Sequence, residues 1–236
     1  MSSPKPVRFF VDFDGTITEN DVVDLILERY AEPEWRLIEK KWQDGRIGSR
    51  ECLSSQVALV SAGQKDLDRL LGEVKIDPYF TEFVQLARQM RLPVTIVSDG
   101  FDWVIDNTLQ RKLGHLPQLL RDLPVHSNKL TFTPEGPRLS FPEEPCEHGC
   151  ATCKVRVIER LRGAGDYTVF IGDGLSDRYA AEASDLTFAK SKLLLHCRQK
   201  NLRYRPYFGF EDVLEWMKAG CPQDANTTER TLKGNA

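Results

Sequence analysis

Apolar residues fall into two patterns along the chain. Short continuous runs that stop at polar clusters occur at Val7-Arg8-Phe9-Phe10-Val11, at Pro93-Val94-Thr95-Ile96-Val97, at Tyr167-Thr168-Val169-Phe170-Ile171 and, more briefly, at Leu186-Thr187-Phe188-Ala189. Runs this short, rich in β-branched and aromatic residues and apolar towards both faces, predict strands buried within a parallel sheet. Between them the apolar positions take helical spacing: Phe80, Phe83, Val84, Leu86 and Ala87 before the second run, Val155, Ile158 and Leu161 before the third, and Ala180 to Ala183 after it. Strand and helix in alternation predict an α/β fold, a doubly wound parallel sheet between two helical layers.

Two stretches break the alternation. From about Asn20 to Asp77 there are only amphipathic helical runs, at residues 22–30, 34–43, 50–60 and 67–74, with breaks at Asp44-Gly45 and Ala62-Gly63. That is too much chain for one crossover between strands. It predicts a helical cap over residues 18–78, inserted into a core of residues 1–17 and 79–220. The second break contains Lys129-Leu130-Thr131-Phe132 and Arg138-Leu139-Ser140-Phe141 on either side of Pro134-Glu135-Gly136-Pro137, which predicts a β-hairpin. Residues 221–236 are polar and aperiodic, and are expected to be a tail.

Composition narrows the function classes. With 236 residues, 41% hydrophobic and 28% charged, the chain is ordinarily globular. Its net charge of −3 argues against coating nucleic acid or an anionic membrane surface. Apolar runs such as Leu193-Leu194-Leu195 fall far short of a membrane span, and the start of the chain shows no secretory h-region, so a cytoplasmic protein is expected.

Three of the four predicted strands end in chemistry. The first runs into Asp12-Phe13-Asp14-Gly15-Thr16, the third into Gly172-Asp173-Gly174-Leu175-Ser176-Asp177. Asp14-Gly15 alone reads as a turn. A second acidic strand end changes that, because the C-terminal ends of parallel strands share one edge of the sheet, where open α/β sheets bind ligands. Converging carboxylates repel unless a cation offsets them, and oxygen-only ligands favour Mg2+. The second strand brings Ser98, with Asp99 and Gly100, to the same edge, and Lys154 opens a helix nearby. A hydroxyl, an ammonium and free backbone N–H groups beside a cation suit a phosphate.

These four motifs, in this order, resemble those of the haloacid dehalogenase (HAD) superfamily, and the likeness extends to about residue 217. The helical insertion after the first motif resembles the C1 cap of the phosphoserine-phosphatase-like branch. The resemblance implies a HAD-like Rossmannoid core and an enzyme that hydrolyses a small phosphorylated metabolite. It implies Asp12 as nucleophile forming an aspartyl-phosphate, and Asp14 as general acid and base. Mg2+ would sit on the Asp12 carboxylate, the Asp14 carbonyl and Asp173. Ser98, Asp99, Gly100 and Lys154 would surround the phosphoryl group, with Asp177 orienting Lys154. Asp12 to Asp21, Pro33-Glu34-Trp35 and a Cys-rich run abutting the lysine are similar to the methionine-salvage group, the 2-hydroxy-3-keto-5-methylthiopentenyl-1-phosphate phosphatases. Phosphoserine and phosphoethanolamine/phosphocholine phosphatases are alternatives. In the cap, Asp21 stands where the phosphoserine enzymes carry an ammonium-binding glutamate. Ser54 falls where they carry a carboxylate-binding arginine, and Arg50 is the substitute.

Cys146, His148, Cys150 and Cys153 precede Lys154. A structural zinc (Zn2+) clip, ordinary thiols and a disulfide all remain open for this cluster. A binding module, non-catalytic or zinc-clipped, is the reading from another class. His115, His126 and His196 are expected to be structural or surface residues, and Trp35 or Trp42 is a candidate for lining a substrate pocket.

Overall fold

The computed structural model describes residues 5–223, so most of the polar tail (224–236) lies outside the described residues. Strand β1 (Val7–Val11) lies at the centre of a seven-stranded sheet. It pairs in parallel with β2 (Val94–Phe101) on one side and β5 (Tyr167–Gly172) on the other, Val11 standing opposite both Ile96 and Ile171. Beyond β5 follow β6 (Leu186–Ala189) and β7 (Tyr204–Pro206), both parallel. Beyond β2 comes β3 (Val125–Thr133), also parallel, and then β4 (Gly136–Ser140), which pairs antiparallel with β3.

The twofold period of a strand sends neighbouring side chains to opposite faces, and this produces the layers. Phe9, Ile96, Val169 and Ile171 enter one buried cluster, while Phe10, Val97 and Phe170 enter another. The larger cluster contains the helical insertion α1 (Val22–Tyr30), α2 (Trp35–Gln43), α3 (Ser49–Val57) and α4 (Gln64–Glu73). It also takes in α5 (Phe80–Gln89), α6 (Asp102–Leu113) and α7 (Pro117–Arg121). The opposite layer is built from α8 (Lys154–Leu161), α9 (Arg178–Glu182) and α10 (Ser191–Gln199). Helix α11 (Phe210–Lys218) returns to the first face, where the Phe83 ring lies 5.1 Å from Phe9 and 4.9 Å from Phe210.

The insertion leaves and re-enters the core at one place. Thr18 and Ile76 form an antiparallel bridge, Glu19 N–H donates to Lys75 O (3.0 Å) and Asp77 N–H donates to Ile17 O (2.8 Å). Asp21 caps α1 by accepting the Asp24 N–H at 2.9 Å.

Among the elements that differ from the sequence expectation, three show why. Strand β3 is not merely a hairpin arm: its first half continues the central sheet, with Val125 opposite Ile96. His126, Ser127 and Asn128 hid it, because an outer strand tolerates polar residues. Strand β7 is too short to leave a periodic signal. Helix α6 follows β2 without a loop, so no turn residue marks its start.

Candidate active site

The C-terminal ends of β1, β2 and β5 meet at one edge, and a cleft of about 250 Å³ opens between them and the insertion. Asp12, Asp14, Ser98, Asp99, Gly100 and Asp173 line it from the sheet; Asp21, Asp24, Glu39, Trp42, Ser49 and Gln56 line it from the helices. Because β1 lies in register between two strands, with Val11 opposite Ile96 and Ile171, Asp12 comes level with the stretch of β2 leading into Ser98 and with the end of β5.

Lys154 opens α8 and is 3% exposed. Its Nζ lies 2.7 Å from Asp12 Oδ1 and 2.5 Å from Asp177 Oδ1. The other Asp177 oxygen accepts the Asp173 and Gly174 N–H groups, each at 3.0 Å. Burial disfavours the Lys154 ammonium, but Asp12, Asp177 and Asp99 outweigh it and push its pKa above the usual lysine value. Asp12, also buried, is raised well above the ordinary carboxylate range by desolvation, with the Asp177 and Asp173 charges adding and Lys154 opposing.

Asp14 turns away from this pair. Its Oδ1 accepts the Val22 N–H at 3.0 Å, so the first residue of α1 holds it, and burial raises it to about 7. Ser98 Oγ accepts the Gly100 N–H at 2.9 Å. A Cβ on Gly100 would collide with the Asp14 carboxylate and come within 3.1 Å of Ser98 Oγ. Gly15 has φ +69°, and a Cβ there would stand 2.7 Å from Asp173 Oδ2. These two glycines let the carboxylates close in.

Asp12, Asp173 and Asp177 each bring an oxygen within 4.8 Å of the others, and burial raises Asp173 to about 6. Asp173 also accepts the Thr16 hydroxyl at 3.0 Å. Both Asp177 oxygens are already engaged, which leaves Asp12 and Asp173 to face a cation. A buried, oxygen-only set carrying this much repulsion fits a hard divalent ion.

The other candidates are placed as follows. Asp21 lines the cleft. Arg50 does not: its guanidinium lies over the Phe141 ring, 4.5 Å to the centroid, and donates to Glu143 O and Cys150 O (3.4 Å to the latter). A substrate role for Arg50 is therefore corrected, since its donors are spent on a loop outside the cleft. The zinc clip is corrected too. Among the described residues the only metal-ligating side chains drawn together are the three aspartates. The His148 ring stacks on Tyr179 at 3.8 Å, and Cys146, Cys150 and Cys153 are free thiols. Their tight spacing closes a turn, in which the Cys150 N–H reaches Cys146 Sγ at 3.4 Å. Trp42 lines the cleft, whereas Trp35 is buried in the core.

Asp24, Glu39, Ser49 and Gln56 escaped the sequence reading. Gln56 left one signal, being the polar member of an inward row formed by Cys52, Leu53 and Val57. Gln56 Nε2 donates to Glu39 at 3.1 Å.

A parallel sheet with aspartates at two adjacent strand ends, a buried lysine between them and helices inserted after the first strand define a class. The chain belongs to the haloacid dehalogenase-like hydrolase family, whose model matches residues 9–182. Within it, the chain is 30% identical over 219 residues to a 2-hydroxy-3-keto-5-methylthiopentenyl-1-phosphate phosphatase of Geobacillus thermodenitrificans (strain NG80-2), covering 91% of this chain and 96% of that protein. A second phosphatase of that name, from Bacillus mycoides (strain KBAB4), is 29% identical over 90% of this chain and 96% of its own. Among solved structures, a phospho-aspartyl intermediate analogue of phosphoserine phosphatase superposes with a TM-score of 0.67 at 20% identity, covering 90% of this chain and 99% of that one. At that identity the likeness speaks to the fold.

Proposed function

We propose that the chain is a Mg2+-dependent phosphatase that hydrolyses a small phosphomonoester through a phosphorylated Asp12. The observation that carries this reading is the buried Asp12–Lys154–Asp177 chain behind the cleft that Asp12 and Asp14 line. An anionic nucleophile reaches an anionic phosphate only where positive charge offsets both. Lys154 supplies part of it. Mg2+, held by Asp12 and Asp173 with the Asp14 carbonyl, would supply the rest as a Lewis acid on the phosphoryl oxygens. Asp12 attacks phosphorus in line while Asp14, protonated near neutrality, gives its proton to the leaving oxygen. Asp14, then ionised, takes a proton from the water that hydrolyses the acyl phosphate. Ser98 and backbone N–H groups hold the phosphoryl oxygens, and Asp177 keeps Lys154 aimed. Residues 18–78 act as a cap that excludes water and reads the leaving group. Six free thiols accord with a cytoplasmic setting.

The names of its relatives make 2-hydroxy-3-keto-5-methylthiopentenyl-1-phosphate the first substrate to test. One observation favours a second reading, an amine-bearing ester such as phosphoserine or phosphoethanolamine. Asp21, Asp24 and Glu39 crowd the lining beside Trp42, with Lys192 as the cation among the described lining residues. Carboxylates beside an aromatic ring suit an ammonium. The test is hydrolysis of an aryl phosphate, followed by kcat/KM over a panel holding both kinds of ester. Activity should vanish with EDTA, return with Mg2+ and be lost in Asp12→Asn; turnover surviving either treatment would overturn the proposal.

A further inference from the structure

Asp99 is a negative charge placed beside a phosphate site, an arrangement that by itself works against binding. Its partners account for it. Asp99 Oδ1 accepts the Thr152 N–H at 2.8 Å, and the carboxylate also accepts the Ser49 hydroxyl. Ser49 Oγ in turn accepts the Ala151 N–H at 3.2 Å. Thr152 and Ala151 stand two and three residues before Lys154; Ser49 is the first residue of α3 in the insertion. The same stretch of loop is gripped again by Arg50, whose N–H donates to Gly149 O at 3.0 Å and whose guanidinium holds Glu143 O and Cys150 O. Gly48 and Gly149 pack backbone to backbone, so closely that a Cβ on Gly48 would stand 2.5 Å from Gly149 O. On the core side, Asn128 Nδ2 ties the Asp99 carbonyl at 2.7 Å.

We propose that Asp99, Ser49 and Arg50 form a clasp through which the helical insertion positions Lys154. Seating α3 pulls the 149–152 loop against the end of β2, and only then does the start of α8 place the ammonium between Asp12 and Asp177. Arg50 is a positioning residue, since it lies outside the cleft and acts through backbone carbonyls of the loop. Asp99 serves as the anchor on the sheet, its charge spent on the clasp. The insertion thus does more than cover the site, because its docking completes the floor of it. This inference rests on the reading of Lys154 as a phosphoryl-binding group.

The test uses the full Mg2+-loaded chain, with aryl phosphate turnover and inhibition by orthovanadate, which mimics the phosphoryl group in transfer. Arg50→Ala should lower kcat by about tenfold or more, on the scale of a small misplacement at a reacting centre. KM should change little, the vanadate Ki should rise in parallel, and Arg50→Lys should recover part of both. A folded Arg50→Ala protein with unchanged kcat and Ki would overturn the clasp. If that variant does not fold, hydrogen exchange on the wild-type chain decides. Vanadate should slow exchange at the Ala151 and Thr152 amides, and no change there would sink the coupling. Lys154→Ala separates the two layers: if it turns over normally, the reading of Lys154 itself fails, whereas its inactivity beside a normal Arg50→Ala removes the clasp alone.

Discussion

Burial raises the Asp14 pKa to about 7 against the opposing Val22 N–H bond, which suits the proposed role of Asp14 as proton donor at neutral pH to a reaction in which Asp12, paired with Lys154, is the proposed nucleophile. The sign follows directly. A general acid works in its protonated form, so kcat/KM for an alkyl phosphate should fall as pH rises through about 7. An aryl phosphate, whose leaving group needs little protonation, should show a weaker fall. Asp14→Asn should cost about 10²- to 10⁴-fold with the alkyl ester and distinctly less with the aryl one. Equal losses on both esters would count against the assignment. The neighbouring glycines are as demanding as the acids. Gly100→Ala should silence turnover with little loss of stability, since its Cβ meets the Asp14 carboxylate lining the cleft rather than the apolar core.

At the scale of elements, the central strands and α5 carry the molecule. Phe83 is fully buried and touches both Phe9 of β1 and Phe210 of α11, joining elements from the two ends of the chain. Phe83→Ala should lower stability to urea by about 3–5 kcal/mol, as for other large aromatic truncations in cores, with KM unchanged because the ring lies away from the cleft. A loss under about 1 kcal/mol would show the core able to collapse around the gap. These elements were legible because a strand apolar on both faces has few other places to go. Strand β3 was not, since Val125-His126-Ser127-Asn128 lacks that signature and becomes a strand only because β2 offers it an edge. Helix α3 was legible as a helix, but its attachment to the Cys-rich loop was not. Nothing in Gly48-Ser49-Arg50 announces a partner a hundred residues away.

For the whole molecule, the acidic edge opposes folding until a cation joins it. Asp173 has a folded pKa of about 6 against 3.8 when free. A carboxylate raised in this way binds protons more tightly folded than unfolded, so its penalty grows from about pH 4 through about pH 6 and is fully present above that. The metal-free protein should therefore lose Tm between about pH 5 and about pH 7.5. Mg2+ at a hundred times its Kd should restore about 2.7 kcal/mol, with a larger Tm gain at the higher pH, where the carboxylates are ionised. A Mg2+ effect equal at both values, or absent, would contradict an ion on Asp12 and Asp173.

The chain by itself determined the sheet, the order of its acidic strand ends and the existence of a helical insertion, because burial patterns and parallel topology are local and periodic. It thereby determined that Asp12, Asp14, Ser98, Lys154, Asp173 and Asp177 would share one edge. Only the tertiary structure decided which of them touch, that Arg50 leaves the cleft for a loop, that His148 stacks on Tyr179 instead of joining the cysteines in one ligand set, and that Asp99 spends its charge on Thr152 and Ser49. Such pairings join residues far apart in sequence through single hydrogen bonds, and a single bond leaves no period to read.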